Sequence, residues 1–162
     1  MDYLQARFPS YGLSVTNITR QGLSLSPRTS IENYTTSREM GRLLEHIYRG
    51  KKFGRETSDQ MIELLKGVKY NERLARYLPA GWSMAHKTGL LRRACHDCGV
   101  VFSPSGDYII CVMTSNNRNY RDAKRFISKI GSISFKYFDI PGGSSVAAAS
   151  TLRPSSAFKR AS

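Results

Sequence analysis

The alternation of apolar and polar residues predicts a helix in the first third of the chain. After Thr36, apolar residues recur at the spacing of a helix: Met40, Leu43, Leu44 and Ile47. Thr35 or Thr36 suits the N-cap, and Glu39 completes a capping box with Thr36. Gly50 is expected to end this helix, since glycine readily takes up the backbone conformation that follows a last helical turn.

A second helix is predicted from Thr57 or Ser58, either of which suits its N-cap, to Gly67, which ends it. Its apolar side consists of four residues: Met61, Ile62, Leu64 and Leu65. The segment from Asp2 to Arg7 is typical of the end of a further helix, because a turn with Gly follows it directly.

Three β-rich runs come next: Trp82–Gly89, Asp97–Phe102 and Tyr108–Thr114. Residues 90–94 form a basic turn between the first two runs, and residues 103–107 form a turn of Ser, Pro, Gly and Asp between the last two. Runs joined in this way predict an antiparallel meander. Helical spacing then predicts a last helix, Tyr120–Phe138, which Gly131 weakens by about 1 kcal/mol relative to Ala.

These elements predict one small α/β domain of the α+β type, in which helices flank an antiparallel three-strand meander. The 162 residues are enough for one such domain with a modest core. Towards the C-terminus, Gly, Ser and Ala dominate and large apolar residues are few. We therefore expect residues 1–138 to form the domain and residues 139–162 to form a disordered tail.

The chain is strongly basic, with 25 Lys and Arg against 12 Asp and Glu and a formal net charge of +13. Such an excess is typical of proteins that bind nucleic acid or another anionic partner. The basic residues are spread along the chain, however, which favours an ordinary solvated surface, and no nucleic-acid-binding motif is present. The alternative is a non-catalytic binding module that uses the densest basic residues: Arg92, Arg93, Arg118, Arg121, Lys124 and Arg125.

The three cysteines predict no metal site and no cofactor. Cys95 and Cys98 form a C-x-x-C pair, but the second pair that a zinc site needs is missing. A redox pair would lie at the start of a helix, whereas this pair lies beside a β-rich run. The odd number of cysteines also argues against a framework of structural disulfides.

No run of apolar residues is long enough to span a membrane, and the residues after Met1 lack the apolar core of a signal peptide. The sequence therefore predicts no membrane span. It indicates either that the chain is not exported or that its start is missing, so the compartment stays open.

The most informative residues for chemistry lie in the first predicted strand, which contains Lys87-Thr88-Gly89 near its end. The Lys ammonium and the Thr hydroxyl can bind an anionic ligand that lies along the strand. Gly89 has no side chain in the way, so the backbone of such a ligand can come close. These three residues are the candidate substrate-binding residues.

This strand resembles the active-site strand of class A β-lactamases and related penicillin-binding serine hydrolases, whose signature combines S-x-x-K, S-D-N and K-T-G. Three flanking segments share the resemblance: Asn33–Leu44, Leu78–Trp82 and His96–Val101. The likeness runs from about residue 3 to about residue 138 and covers only the C-terminal half of such a domain. It implies the C-terminal part of the β-lactamase and transpeptidase-like fold.

The resemblance also implies hydrolysis of a β-lactam amide through an acyl-enzyme, with Lys87 and Thr88 binding the substrate carboxylate. The nucleophile is missing. No Ser before Lys87 has a Lys three residues later, and the one S-x-x-K in the chain, Ser156–Lys159, lies in the predicted tail. We therefore expect a chain that is inactive alone, or a subunit that a separate N-terminal half complements.

Overall fold

The computed structural model describes residues 2–19, 33–91 and 93–139. The helices and strands follow in the order α1 Asp2–Arg7, α2 Ser37–Arg49, α3 Arg55–Lys66, β1 Ser83–Leu91, β2 Ala94–Phe102, β3 Tyr108–Thr114 and α4 Tyr120–Phe138. Short 3-10 helices cover Phe8–Tyr11 and Leu74–Tyr77. No helix among these described residues is long and apolar enough to cross a membrane. Apart from Asp139, the predicted tail lies outside the described residues.

The three strands form one antiparallel sheet in the order β1-β2-β3. Alternate side chains point to opposite faces, because successive residues of a strand do so. One face, with Met84 and Val101, packs against α4 and the 3-10 helix Leu74–Tyr77. The other face, with Ala85 and Val100, packs against α2 and α3. The predicted meander with flanking helices is therefore confirmed.

Helix α4 covers its face of the sheet along most of its length. Ala123, Ile127 and Phe135 are buried there, at the helical spacing that the sequence suggests. Near its end, the Phe135 ring meets Trp82 edge to face at 5.9 Å. The predicted bounds of this helix are confirmed, and Asn119 caps it by accepting a hydrogen bond from the Asp122 N–H.

Helix α2 begins at the predicted cap, since Thr36 accepts a hydrogen bond from the Glu39 N–H. The other half of the capping box is wrong. The Glu39 carboxylate instead accepts hydrogen bonds from Ser14, Val15 and Thr16, which ties the loop after α1 to this helix. Burial acts to raise the pKa of Glu39, but these hydrogen bonds outweigh it and lower the pKa to about 2. The carboxylate is therefore ionised at neutral pH.

Helix α3 starts earlier than predicted. It begins at Arg55, after Gly54, so neither Thr57 nor Ser58 is its N-cap. Ser58 instead lies fully buried within the helix. The buried side follows Ser58, Ile62 and the partly buried Leu65, and Leu64, one position before Leu65, is 77% exposed. The prediction that Leu64 belongs to the apolar side is wrong for this reason.

The first hairpin is tighter than predicted. Strand β1 continues past Gly89 to Leu91, and β2 already begins at Ala94, where the two residues pair. The predicted turn over residues 90–94 is therefore too long. Arg93 has a φ of 61°, the left-handed conformation that two-residue hairpin turns require. Because Gly and Asn are the residues expected at such positions, the sequence pattern does not indicate that Arg93 forms this turn.

Gly131 allows α4 to lie against the 3-10 helix. A Cβ at this position would come within 2.5 Å of the Leu74 carbonyl oxygen, closer than atoms can approach. Both residues are buried, and Leu74 has no exposed surface. The glycine that weakens the helix in isolation is therefore required for the packing of its neighbour.

We predict opposite effects for two Gly→Ala substitutions in helices. Gly131→Ala should lower the free energy of unfolding by about 1–3 kcal/mol, because the Leu74 backbone must move to admit the methyl group. Gly41→Ala, in α2, is the matched control. The nearest atoms to its new methyl group, in the side chains of Cys111 and Ile109, are 3.9 Å away, so it should raise stability by up to about 1 kcal/mol. Urea denaturation measures both, and a stabilising Gly131→Ala would contradict this packing.

Candidate functional site: the Lys87–Gly89 strand

Lys87, Thr88 and Gly89 lie in the second half of β1, with two further residues of the strand after them. Lys87 is exposed, and its ammonium group donates a hydrogen bond to the Thr88 carbonyl oxygen at 2.6 Å. Thr88 and Gly89 are partly buried. Among the described strands, β1 pairs only with β2, so its outer edge carries no partner strand.

The side chains of Lys87 and Thr88 point to opposite faces of the sheet. Lys87 pairs with Cys98 on the side of α2 and α3, whereas Thr88 pairs with Asp97 on the side of α4. A ligand that contacts both residues must therefore lie along the outer edge of β1. Its polar groups would meet the backbone N–H and C=O groups of the unpaired edge.

A fully buried carboxylate lies directly behind this strand. One oxygen of Asp97, on β2, is 2.8 Å from Nδ1 of His86, the residue before Lys87. The other oxygen accepts a hydrogen bond from the Leu74 N–H at 3.0 Å. The contact with Asp97 fixes the orientation of the His86 ring, because Nδ1 and the carboxyl oxygen share one hydrogen bond. Asp97 thereby joins β2, β1 and the 3-10 helix.

Gly99 makes room for the His86 ring. The two residues are paired across β1 and β2, and a Cβ on Gly99 would lie 2.6 Å from the His86 Cβ. A larger residue at this position of β2 would displace His86 from Asp97. The buried pair thus depends on a glycine opposite the histidine.

Arg73 and His96 directly precede Leu74 and Asp97 in the chain. Arg73 is only 4% exposed, and its Nε and Nη1 atoms have no hydrogen-bond partner among the described residues. Burial lowers the pKa of the partly buried His96, and the charge of Arg73 adds to this effect while a hydrogen bond at Cys95 opposes it. His96 is therefore neutral at pH 7. Its uncharged ring lies on β2 beside Gly89.

A cavity of about 330 Å³ lies beside the first half of β1. Its lining includes Lys66, Asn71 and Ser83, and the ring of His86 forms part of its wall. The cavity is therefore adjacent to the buried pair rather than to Lys87 itself. Among the described residues, no group of three or more His, Cys, Asp or Glu side chains is arranged to hold a metal ion.

The residues of the alternative basic module are partly engaged within the chain. Lys124 forms an ion pair with Glu72, and the Arg93 guanidinium donates to the Asn116 and Asn117 carbonyl oxygens. Arg118, Arg121 and Arg125 are exposed near the start of α4. Arg92 lies outside the described residues.

The K-T-G residues are evident from the sequence, whereas the carboxylate that lies behind them is not. His86 appears in the sequence only as a residue before the motif, and Asp97 as the first residue of a β-rich run. The available signal was the charge itself, since an ionisable residue among Cys, Gly and Val in a central strand needs a buried partner. Only the register of β1 on β2 shows that this partner is His86.

Comparisons with known proteins agree with this architecture. A family model described as the beta-lactamase enzyme family matches residues 1–138. The β-lactamase of Sphaerobacter thermophilus DSM 20745 superposes with a TM-score of 0.77 at 23% identity, over 86% of this chain and 54% of that one. An ancestral class A β-lactamase gives 0.73 at 24% identity, over 83% and 54%. A search of the curated proteins finds no match.

The structure of PBP-A solved as an acyl-enzyme complex with penicillin G has a TM-score of 0.73 at 22% identity, over 85% of this chain and 51% of that one. The fold is thus the C-terminal part of the fold of β-lactamases and penicillin-binding serine hydrolases. The chain belongs to the beta-lactamase enzyme family. It spans about half the length of the solved structures that it matches.

We predict that removing the buried carboxylate of Asp97 lowers the free energy of unfolding far more than removing the half-buried carboxylate of Asp107. Asp97→Ala leaves the Leu74 N–H and the His86 ring without their partner, and should lower the free energy of unfolding by about 3–5 kcal/mol. Asp107→Ala is the control, because that carboxylate is only partly buried and water can reach the partners that it leaves, the Tyr48 hydroxyl and the Ser103 backbone. Its loss should cost about 1 kcal/mol. Similar losses for both variants in urea denaturation would contradict the role of Asp97.

Proposed function

We propose that this chain supplies the substrate-binding strand of a β-lactamase-type serine hydrolase. In this proposal Lys87 and Thr88 contact the carboxylate of a β-lactam or a related amide or ester, and Gly89 lets the substrate approach the strand. The observation that carries the proposal is the exposed ammonium of Lys87 beside the unpaired outer edge of β1. The family of the chain supports the same assignment.

The edge of β1 suits an extended substrate. A peptide-like amide that lies along it can form hydrogen bonds with the backbone as an added strand would. Lys87 then places a positive charge next to an anionic group of the substrate, where burial of the complex strengthens the attraction. Among the described residues, the one hydrogen bond of the Lys87 ammonium goes to the neighbouring Thr88 carbonyl oxygen, so a substrate carboxylate can replace that contact at little cost.

We do not assign a catalytic nucleophile to this chain. Acyl transfer needs a Ser beside a base that takes its proton, and no Ser before Lys87 is followed by a Lys three residues later. We infer that the chain does not hydrolyse substrate alone. A segment that carries the Ser and the Lys would have to be supplied, either from the same gene product or as a separate N-terminal half.

Two surfaces support the need for such a segment. Strand β3 is the second edge of the described sheet, and its outer side has no partner strand. On α4, Phe126, Ile133 and Tyr137 form a stripe at helical spacing and are 52%, 64% and 46% exposed. An apolar stripe on the outer side of a helix favours contact with a further element. The related structures, of which this chain covers about half, have the length to supply it.

The folded domain of this chain has its C-terminal limit at Phe138 in our proposal. The family match and α4 both end at Phe138. We infer that the domain ends there and that residues 139–162 lie outside it.

We predict weak, carboxylate-dependent binding of penicillin G without turnover. Lys87→Ala should weaken binding about tenfold, because it removes the charge that pairs with the carboxylate. Lys129→Ala, an exposed Lys on α4, should leave binding unchanged. Ligand-detected NMR measures the affinity, and hydrolysis of a chromogenic cephalosporin measures turnover.

The methyl ester of penicillin G is the matched ligand control, since it lacks the anionic group. Equal binding of the acid and the ester would contradict the role of Lys87. Turnover by the purified chain, above all turnover that Lys87→Ala abolishes, would instead contradict the inference that the nucleophile is missing.

A further inference from the structure

The cysteine pair that stands out in the sequence is not a pair in the structure. Cys95 and Cys98 are three residues apart on β2, and an odd spacing on a strand places side chains on opposite faces. Cys95 lies in the core beneath α4, whereas Cys98 lies in the core beneath α2 and α3. The sheet therefore separates the two thiols of the C-x-x-C motif.

Cys98 instead lies directly opposite Cys111 of β3. Both belong to the core on the side of α2 and α3, and both are free thiols. The two side chains lie next to each other on the same face of the sheet. Cys98 is buried, whereas Cys111 is partly exposed. Above them lies Gly41 of α2, where a Cβ would be in ordinary van der Waals contact with the Cys111 sulfur at 3.9 Å.

We propose that Cys98 and Cys111 are a dithiol site that closes to a cross-strand disulfide when the chain meets a small disulfide such as oxidised glutathione. Residues directly opposite in antiparallel strands have Cα atoms about 4.5–5.5 Å apart. Disulfides join Cα atoms about 4.4–6.8 Å apart. The register of β2 on β3 therefore brings the two cysteines within bonding range without a shift of either strand.

The exchange proceeds in two balanced steps. The Cys111 thiolate attacks one sulfur of oxidised glutathione, the bond between the two glutathione sulfurs breaks, and one glutathione leaves as its thiolate. Cys98 then loses its proton to solvent and attacks the Cys111 sulfur, which releases the second glutathione. Two protein thiols are oxidised to one disulfide, and one glutathione disulfide is reduced to two thiols.

The two cysteines differ in reactivity. The neighbouring Cys111 thiol, together with burial, raises the pKa of the Cys98 thiol, so Cys98 stays protonated at neutral pH. Cys111 is the more exposed of the two and meets the reagent first. The second step is therefore the slow one, and a mixed disulfide on Cys111 should precede closure.

The disulfide would lie in the same cross-strand row as Lys87 of the proposed substrate-binding strand. Lys87 pairs with Cys98, and Cys98 pairs with Cys111, so the three residues form one row across the sheet. All three side chains point to the face covered by α2 and α3. Oxidation would fix the spacing of β2 and β3 within this row, one strand away from Lys87.

The test is oxidation of the full native chain with oxidised glutathione, followed by alkylation in denaturant and mass spectrometry. Cleavage before Asp residues separates the three cysteines into residues 59–96, 97–106 and 107–121. We expect loss of two of the three alkylatable thiols and a linked pair of the second and third peptides. Oxidation of the unfolded chain should instead give a mixture of pairings.

Two variants complete the experiment. Cys95→Ser is the matched control and should close the same bond to the same extent. Cys111→Ser should abolish closure, and a mixed disulfide on Cys98 should form at least tenfold more slowly than on Cys111 in the unsubstituted chain. Three thiols that all remain alkylatable after native oxidation, or a bond that includes Cys95, would overturn the proposal.

Discussion

The structure around the K-T-G residues depends on one buried carboxylate. Asp97 has no exposed surface, and its two oxygens are shared between His86 on β1 and the N–H of Leu74. A buried charge is tolerated only where such partners surround it. The partners come from two other parts of the chain, so satisfying the carboxylate fixes where β1 and the 3-10 helix lie. Lys87 follows His86 directly, and its backbone position is set by the same contact.

This constraint extends from the sheet to the last helix. Leu74 donates to Asp97 and also lies against Gly131, so the 3-10 helix is held between β2 and α4. On the opposite face, α2 and α3 cover Ala85, Cys98 and Val100. The strand that carries Lys87 is therefore supported from behind and from one edge, while its other edge has no partner among the described strands. That combination of a rigid support and an open edge is what the proposed substrate-binding role of the strand requires.

Much of this architecture follows from local pattern. The span of α4, the run of β3 and the Thr36 cap have clear signals in spacing and capping chemistry. Contacts between residues that are distant in the sequence could not be predicted from local pattern. Glu39 looks like half of a capping box but binds Ser14–Thr16, and Gly131 looks like a flaw in a helix but admits Leu74. Likewise, C-x-x-C suggests a pair by sequence spacing, whereas the register of β2 on β3 places Cys98 opposite Cys111.

The most direct test of this account is hydrogen exchange at the Leu74 amide, followed by NMR in the native chain. The only acceptor of this N–H in the described structure is the Asp97 carboxylate, so its protection reports the central contact alone. The account predicts that it exchanges within about tenfold of the Val100 amide in the buried centre of β2. Exchange as fast as in an unstructured peptide would show that the carboxylate does not hold the 3-10 helix, and the support for β1 would lose its basis.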